Sequence, residues 1–187
     1  MKSTAPTDQL KAEHENILSL LGILDRMCAE LEAKRDIDPL FLGRVVEFMK
    51  TFIDKIHHGK EEELLFPMMR KVGGRRESGQ VSELMIDHIK GRSLSRDMDL
   101  AALRYGRYDR DAPARFVERA KNYISLLTEH IRRENEIYFP IVEKLLSEKQ
   151  KKELLDSFEE LDKTMARHNE YSSMLQTLQN LERVFPD

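Results

Sequence analysis

The sequence predicts an all-α protein, an up-down four-helix bundle with an additional helix at its C-terminal end. Apolar residues recur at alternating steps of three and four along five successive segments, which is the period of amphipathic helices. Charged residues make up 35% of the 187 positions, with only 8 glycines and 6 prolines, as expected for helices with solvated outer faces. One domain is predicted over residues 1–187, with a bundle core at about 8–147 and the additional helix at about 149–182.

The first predicted helix begins near Pro6 and ends at a turn over residues 34–39. Its apolar stripe includes a histidine, so the buried face is expected to carry one imidazole. The stripe consists of Leu10, His14, Ile17, Leu21, Leu24, Cys28 and Leu31.

The second predicted helix contains two adjacent histidines, which its stripe separates. At helical spacing His57 falls among apolar positions, whereas His58 falls on a polar face. His57 is therefore expected to face the interior, and His58 to lie at the surface or beside the inward residues. Pro67 is expected to loosen the last turn, and Gly73–Gly74 to end the helix. The predicted stripe is Leu42, Val46, Met49, Ile53, His57, Glu61, Leu64 and Met68.

Three more helices are predicted after these glycines. Arg75 and Arg76 are assigned to the loop, and the third helix is expected from about Gln80 to Leu103. Its inward face has mostly small residues, namely Leu84, His88, Gly91, Ser95, Met98 and Ala102. The stripe of the fourth helix is Phe116, Ala120, Tyr123, Leu127, His130, Glu134, Ile137, Ile141 and Leu145. The fifth helix follows a cap at Ser147, and its stripe is Leu154, Phe158, Leu161, Met165, His168, Ser172 and Leu175.

Composition and charge exclude several classes of function. The 34 acidic and 31 basic residues give a net charge of −3, so no attraction to nucleic acid or to a membrane is predicted. Cys28 is the only cysteine, which excludes an internal disulfide and a thiolate cluster and suits a reducing cytoplasm. The first residues lead into charged positions rather than an apolar signal core, and no apolar run is long enough to span a membrane. We expect a cytoplasmic protein without nucleic-acid or membrane partners, and its oligomeric state is left open.

One stretch of the second helix occurs again in the fourth. The segments 57–67 and 130–140 both begin with His-x-x-x-Glu and end with Phe-Pro. Residues four apart project from the same face of a helix, so each segment presents an imidazole and a carboxylate together. The sequence therefore predicts one kind of metal-binding motif that is used twice.

Five of the six histidines are expected at one height of the bundle. In an up-down bundle, residues equidistant from a turn lie at about the same level. A predicted turn bisects each successive pair of these histidines. The predicted layer consists of His14, His57, His88, His130 and His168.

A metal centre accounts for this layer. Two buried carboxylates without cations would cost several kcal/mol each, and a divalent metal supplies positive charge while it accepts imidazole and carboxylate together. Zinc sites usually have three or four protein ligands, often thiolates, whereas up to seven mixed ligands suit two octahedral ions that share both glutamates. The expected cofactor is two iron ions, with manganese or zinc as substitutes. The candidate ligands are His14, His57, Glu61, His88, His130, Glu134 and His168.

The order His, His-x-x-x-Glu, His, His-x-x-x-Glu on four successive helices resembles the hemerythrin-like, or HHE cation-binding, domains. The resemblance covers about Leu10 to Leu146, and the segments 57–67 and 130–140 are specific to it. It implies a four-helix bundle around a non-haem di-iron centre with an oxo or hydroxo bridge. The implied terminal ligands are His14, His57, His88 and His130, and the implied carboxylate bridges are Glu61 and Glu134.

The chain departs from the oxygen-carrying hemerythrins at two positions. Those proteins have a second histidine one turn after the third-helix ligand, where this chain has Arg92. Their last carboxylate ligand is an aspartate at a five-residue spacing, where this chain has Glu134 at four. Both differences count against reversible oxygen carriage. His168 either replaces the missing histidine or packs beside the ligands, and the sequence leaves both readings open.

The predicted function is binding or sensing of dioxygen, nitric oxide or iron itself, with a small diatomic molecule or peroxide as the partner. The alternative is a di-iron enzyme, either an oxidase or a peroxide-consuming protein. Ferritin-like oxidases use Glu-x-x-His pairs, and the sequence contains none, so binding is favoured over catalysis. A structural bundle without metal would need other partners for Glu61 and Glu134.

Overall fold

The computed structural model describes residues 5–167 and 170–186, and in these residues it contains six helical segments and no strand. The predicted all-α class is therefore confirmed. The segments are α1 (Pro6–Glu32), α2 (39–72), α3 (Arg75–Tyr105), α4 (112–145), α5 (Glu148–Arg167) and α6 (Glu170–Val184). Within α2, π-helical Met49–His57 and Glu61–Leu65 alternate with α-helical Pro39–Phe48, His58–Lys60 and Phe66–Val72. Within α4, π-helical Glu134–Tyr138 joins Ala112–Arg133 to Phe139–Leu145.

The start of α3 differs from the sequence prediction. The helix begins at Arg75 rather than near Gln80, so the prediction that Arg75 and Arg76 lie in a loop is wrong. The Glu77 carboxylate accepts a hydrogen bond from the Gly74 N–H at 2.8 Å and thereby caps the helix five residues earlier than predicted. The start of the helix was predicted from the spacing of apolar residues, and a polar capping residue does not change that spacing.

Both Phe-Pro pairs lie at the end of a π-helical turn. The Phe66 N–H donates to the carbonyl of Glu61, five residues back, and the Phe139 N–H donates to that of Glu134. The proline that follows has no N–H, and in a regular α-helix its ring would clash with the carbonyl four residues earlier. A wider turn before each proline relieves this clash, as predicted for Pro67.

Each wider turn shifts the buried stripe by one residue. Leu65 and Tyr138 are buried, whereas the stripes extrapolated at 3.6 residues per turn put Leu64 and Ile137 inside. Ile137 is 44% exposed, so its predicted inward position is wrong. The predicted stripes hold up to the two glutamates of the repeated motif and fail beyond them, because a π turn contains more residues than an α turn.

The apolar core forms two clusters on either side of the histidine layer. The cluster nearer the N-terminus of α1 includes Leu154 and Phe158 from α5, and the other includes Met174, Leu178 and Leu181 from α6. The fifth helix predicted over about 149–182 thus corresponds to two described segments, and His168 lies outside the described residues. Among the described residues, no helix combines the length and apolar composition that crossing a membrane requires.

Candidate metal centre

Two groups of metal-ligating side chains lie in the interior between α1, α2, α3 and α4. Within each group, one ligand atom per residue lies within 4.8 Å of all the others, and every member is buried. Group A consists of His14, His57, Glu61 and Glu134, and group B consists of His58, Glu61, His88 and His130. Glu61 belongs to both groups, so the two groups are adjacent.

In group A, the ring nitrogens and carboxylates converge on one point. His14 Nε2 lies 3.0 Å from His57 Nε2 and 3.2 Å from Glu134 Oε2. His57 Nε2 lies 3.8 Å from Glu61 Oε2. A metal ion there would meet two imidazoles and two carboxylates.

Group B repeats this geometry with a third imidazole. His88 Nε2 lies 3.1 Å from His130 Nε2 and 3.5 Å from Glu61 Oε2. Glu134 Oε2 is 3.2 Å from His130 Nε2, so Glu134 also reaches from group A toward group B. The His58 ring stacks on the His88 ring with centroids 3.7 Å apart.

The position of His58 corrects the sequence prediction. His58 is 1% exposed and belongs to group B, so of the two positions expected for it, at the surface or beside the inward residues, the surface position is wrong. The reason is the π-helical stretch Met49–His57, in which the His58 N–H bonds to the Ile53 carbonyl five residues back. This wider turn rotates His58 inward relative to a regular helix, while His57 stays in the buried face.

Three of the five imidazoles hydrogen-bond through the outward nitrogen, Nδ1, to a side chain outside the two groups. The Nδ1 atoms of His58 and His130 make no hydrogen bond to a described residue, although a carboxylate lies near each. An acceptor at Nδ1 fixes the ring orientation and leaves the lone pair of Nε2 free for a metal. The distances from Nδ1 are 2.9 Å for His14 to Asn135, 2.9 Å for His57 to Glu13, 2.7 Å for His88 to Glu62, 3.3 Å for His58 to Asp54 and 3.7 Å for His130 to Asp87.

Burial and neighbouring charges make the two glutamates ionise differently. Burial raises the pKa of Glu61 well above its ordinary value, and the charge of Glu134 raises it further. Burial also opposes ionisation of Glu134, but the imidazoles of His130 and His14 outweigh it and lower the pKa of Glu134 to about 2. In the metal-free pair a proton is therefore held more tightly by Glu61 than by Glu134.

Metal binding is expected to release this proton. Ligation requires a deprotonated carboxylate, so a metal ion would compete with a proton at Glu61, whereas burial lowers the pKa of His57 and of His58 and favours their neutral, metal-binding form. We expect net proton release on adding Zn²⁺ in weak buffer, measured with an indicator dye. In Glu61→Gln proton release should fall together with metal binding, because both groups share this carboxylate. Metal uptake by the unsubstituted chain without proton release would contradict the assignment.

The carboxyl oxygens of the centre lack well-aligned hydrogen-bond donors among the described residues. None of the four oxygens of Glu61 and Glu134 accepts a well-aligned hydrogen bond from a described residue. The buried ammonium of Lys60 contacts Glu13 and Asp162 instead. Since buried carboxylate oxygens without a partner are costly, the donor set fits a metal ion.

The structure brings together six of the seven predicted ligands, namely His14, His57, Glu61, His88, His130 and Glu134. The sequence interpretation missed the outward partners, although two of them, Glu62 and Asn135, lie in the repeated motif. Glu13 and Asp87 directly precede His14 and His88, and Glu62 and Asn135 directly follow the two glutamates. Arg92, where oxygen carriers have histidine, donates to Glu62 at 2.7 Å.

The model of the hemerythrin HHE cation binding domain matches residues 5–142, which contain all of groups A and B. The chain belongs to the hemerythrin HHE family. It is also similar to the uncharacterized proteins Rv1995 of Mycobacterium tuberculosis and Mb2018 of Mycobacterium bovis. Each is 22% identical to it over 180 residues, which is 96% of this chain and 69% of the relative. No solved structure matches the chain.

As a member of this family, the chain belongs to a class of cation-binding proteins, and its His/Glu groups could hold a metal. The family match of this hemerythrin HHE domain ends within α4, at residue 142. The helices α5 and α6 therefore lie beyond the matched segment.

Proposed function

We propose that the chain is a non-haem di-iron protein that binds or senses dioxygen, nitric oxide or iron through groups A and B. The observation that carries the proposal is the pair of buried His/Glu groups that share Glu61. Imidazole and carboxylate ligands without thiolate suit iron, with manganese or zinc as substitutes. In this proposal α1 to α4 form an up-down four-helix bundle that supplies every ligand, and α5 and α6 pack outside it. The buried free thiol of Cys28 supports a reducing compartment, the cytoplasm.

The two groups offer different numbers of ligands. Group A has two histidines and two glutamates, whereas group B has three histidines, Glu61 and the nearby Glu134. An octahedral ion at group A would therefore have more positions for a small molecule than one at group B. The oxygen carriers have a further histidine at the position of Arg92, and in this chain His58 supplies the fifth imidazole instead. We propose that the external ligand approaches on the group A side.

The surroundings of group A favour a small uncharged molecule. The His14 ring stacks on Phe139 at 5.5 Å, and Leu10, one turn earlier in α1, is fully buried. An apolar wall of this kind excludes water and controls access to the centre. Iron in the two groups would supply electrons and an open coordination position. The chain holds the imidazoles, keeps water away and provides the carboxylates.

The proposal predicts that iron-loaded protein responds to small oxidising molecules. We expect anaerobically Fe²⁺-loaded protein to change its visible absorption on exposure to dioxygen or nitric oxide, at one equivalent or less per iron pair. The Zn²⁺-loaded protein is the matched control, because zinc has no redox chemistry and should leave the spectrum unchanged. Iron-loaded protein whose spectrum ignores both gases would contradict gas binding and leave iron sensing as the function.

A second candidate, a peroxide-consuming enzyme, is favoured by Tyr138. Its phenol is buried and has no hydrogen-bond partner among the described residues. Tyr138 follows Glu134 by four residues in α4, and burial raises the pKa of its phenol, as do the charges of Glu61 and Glu134. A buried protonated phenol would be a proton or hydrogen-bond donor available to a peroxide molecule. Consumption of many equivalents of hydrogen peroxide by the iron-loaded protein, lost in Tyr138→Phe, would favour this enzyme.

A further inference from the structure

Lys60 is a fully buried lysine within the second-helix motif, between His57 and Glu61. Its ammonium bonds to a carboxylate oxygen of Glu13 on α1 and lies 2.7 Å from Asp162 Oδ1 on α5. Buried lysines are rare because an unpaired ammonium is costly away from water. Here two carboxylates from two other helices compensate the charge.

The contacts of Lys60 connect α5 to a ligand of group A. The second oxygen of Glu13 accepts a hydrogen bond from His57 Nδ1 at 2.9 Å. On the other side, Gln9 donates to Asp162 at 2.6 Å and keeps that carboxylate next to the ammonium. The path from α5 to the metal-binding ring thus runs through Asp162, Lys60 and Glu13 to His57.

Two aromatic rings of the C-terminal helices complete the pocket around this ammonium. The Lys60 Nζ lies 5.9 Å from the ring centroid of Phe158 on α5 and 5.9 Å from that of Tyr171 on α6. A cation over a ring face is stabilised, more so when water is excluded. The C-terminal helices therefore cover Lys60 and interact with its charge.

The motif repeat contains a counterpart without this cover. Arg133 precedes Glu134 as Lys60 precedes Glu61, and it bonds to Asp87, which faces the outward nitrogen of His130 at 3.7 Å. The Arg133 side chain is 29% exposed, and the Lys60 side chain 0%. A basic residue, a carboxylate and an imidazole thus follow one another beside both groups. Among the described residues, α5 and α6 enclose the basic residue beside group A, whereas the one beside group B is partly exposed.

We propose that Lys60 is a positioning residue for group A, and that α5 and α6 are part of this metal site because they hold Lys60 in place. Lys60 fixes the Glu13 carboxylate so that its free oxygen meets His57 Nδ1, which aims His57 Nε2 at the metal. Burial raises the pKa of Glu13 and the Lys60 charge opposes that rise, in agreement with a close pair. The inference rests on metal binding at group A, as in the proposed function.

The test compares metal affinities in full-length variants. Lys60→Met should weaken binding at group A by about 10–100-fold and leave group B unchanged, because loss of a partner of a ligating histidine typically has this effect. Zn²⁺ affinity is measured for both ions by competition with a chromophoric chelator. Asp162→Asn, on the partly exposed side of the pair, should produce a weaker change at the same ion, and Lys60→Arg should restore most of the affinity.

Lys55→Met is the matched control. Lys55 also lies on α2 and pairs with the C-terminal helices, through Glu170 at 2.7 Å, but it does not contact Glu13. It should keep both affinities. If Lys60→Met does not fold, as judged by helicity in circular dichroism, Asp162→Asn decides.

Unchanged Zn²⁺ affinity in both Lys60→Met and Asp162→Asn would overturn the inference. Equal loss of affinity at groups A and B would also overturn it, because it indicates a general loss of stability. Failure of the unsubstituted chain to bind two ions would instead overturn the proposed function, and the inference with it.

Discussion

Glu61→Ala is expected to abolish binding of both metal ions. Glu61 is the carboxylate that groups A and B share, with Oε2 at 3.8 Å from His57 Nε2 and 3.5 Å from His88 Nε2. Without it each ion loses an anionic ligand, and Glu134 alone cannot neutralise two divalent ions. Metal analysis after dialysis should fall from two ions per chain to none, whereas binding of two ions by Glu61→Ala would contradict the shared role.

Glu63→Ala is the matched control for this substitution. Glu63 has the same charge, lies two residues along the same helix and is exposed. It should keep both ions, since it belongs to neither group. Loss of metal in Glu63→Ala would indicate that the net charge of the helix, rather than the shared carboxylate, determines binding.

Glu61→Ala should affect the free energy of unfolding in opposite directions with and without metal. In the metal-free protein Glu61 is a buried carboxyl without a well-aligned partner among the described residues, so its removal should maintain or raise the free energy of unfolding. With metal the unsubstituted chain gains about 2.7 kcal/mol per site at a free metal concentration 100 times the Kd, and Glu61→Ala gains nothing. Urea unfolding of both proteins, with and without Zn²⁺, measures this reversal.

His58→Ala is expected to lose one metal ion and keep the other. His58 belongs to group B only, and its ring is stacked on His88 at the centre of that group. His57→Ala should instead lose the ion of group A. In Co²⁺-substituted protein, the two variants should each retain one ion per chain and show different visible spectra, because different ligands remain in each.

His168→Ala completes this series. His168 is a predicted ligand that lies outside the described residues. Because His58 brings the histidines of the two groups to five, we expect His168→Ala to keep both ions. Two ions at unchanged affinity in His58→Ala, together with a loss in His168→Ala, would contradict the role given to His58.

The sequence predicted those parts of the centre that depend on regular helix geometry. His57 with Glu61 and His130 with Glu134 were found because residues four apart share a face. His14 and His88 were found because the predicted turns set their height in the bundle. These arguments use only the helix rise and the direction of the chain, and both are independent of side-chain packing.

The parts that were missed depend on irregular backbone or on tertiary contacts. His58 turns inward because of a π-helical stretch, and no residue pattern marked that stretch before Pro67. Lys60 is buried against α1, α5 and α6, whereas a stripe calculated along α2 alone puts a lysine in solvent. A basic residue precedes the glutamate of both motifs, Lys60 and Arg133, but its pairing with Glu13 or Asp87 became visible only in the structure.

An anaerobic Fe²⁺ titration of the metal-free chain, followed by X-ray absorption at the iron edge, tests the shared two-metal centre most directly. We expect saturation at two iron ions per chain, one for each of groups A and B, and an iron neighbour at about 3.5–4 Å from each iron. Saturation at a single ion, or two ions without an iron neighbour at that distance, would contradict a centre built around Glu61.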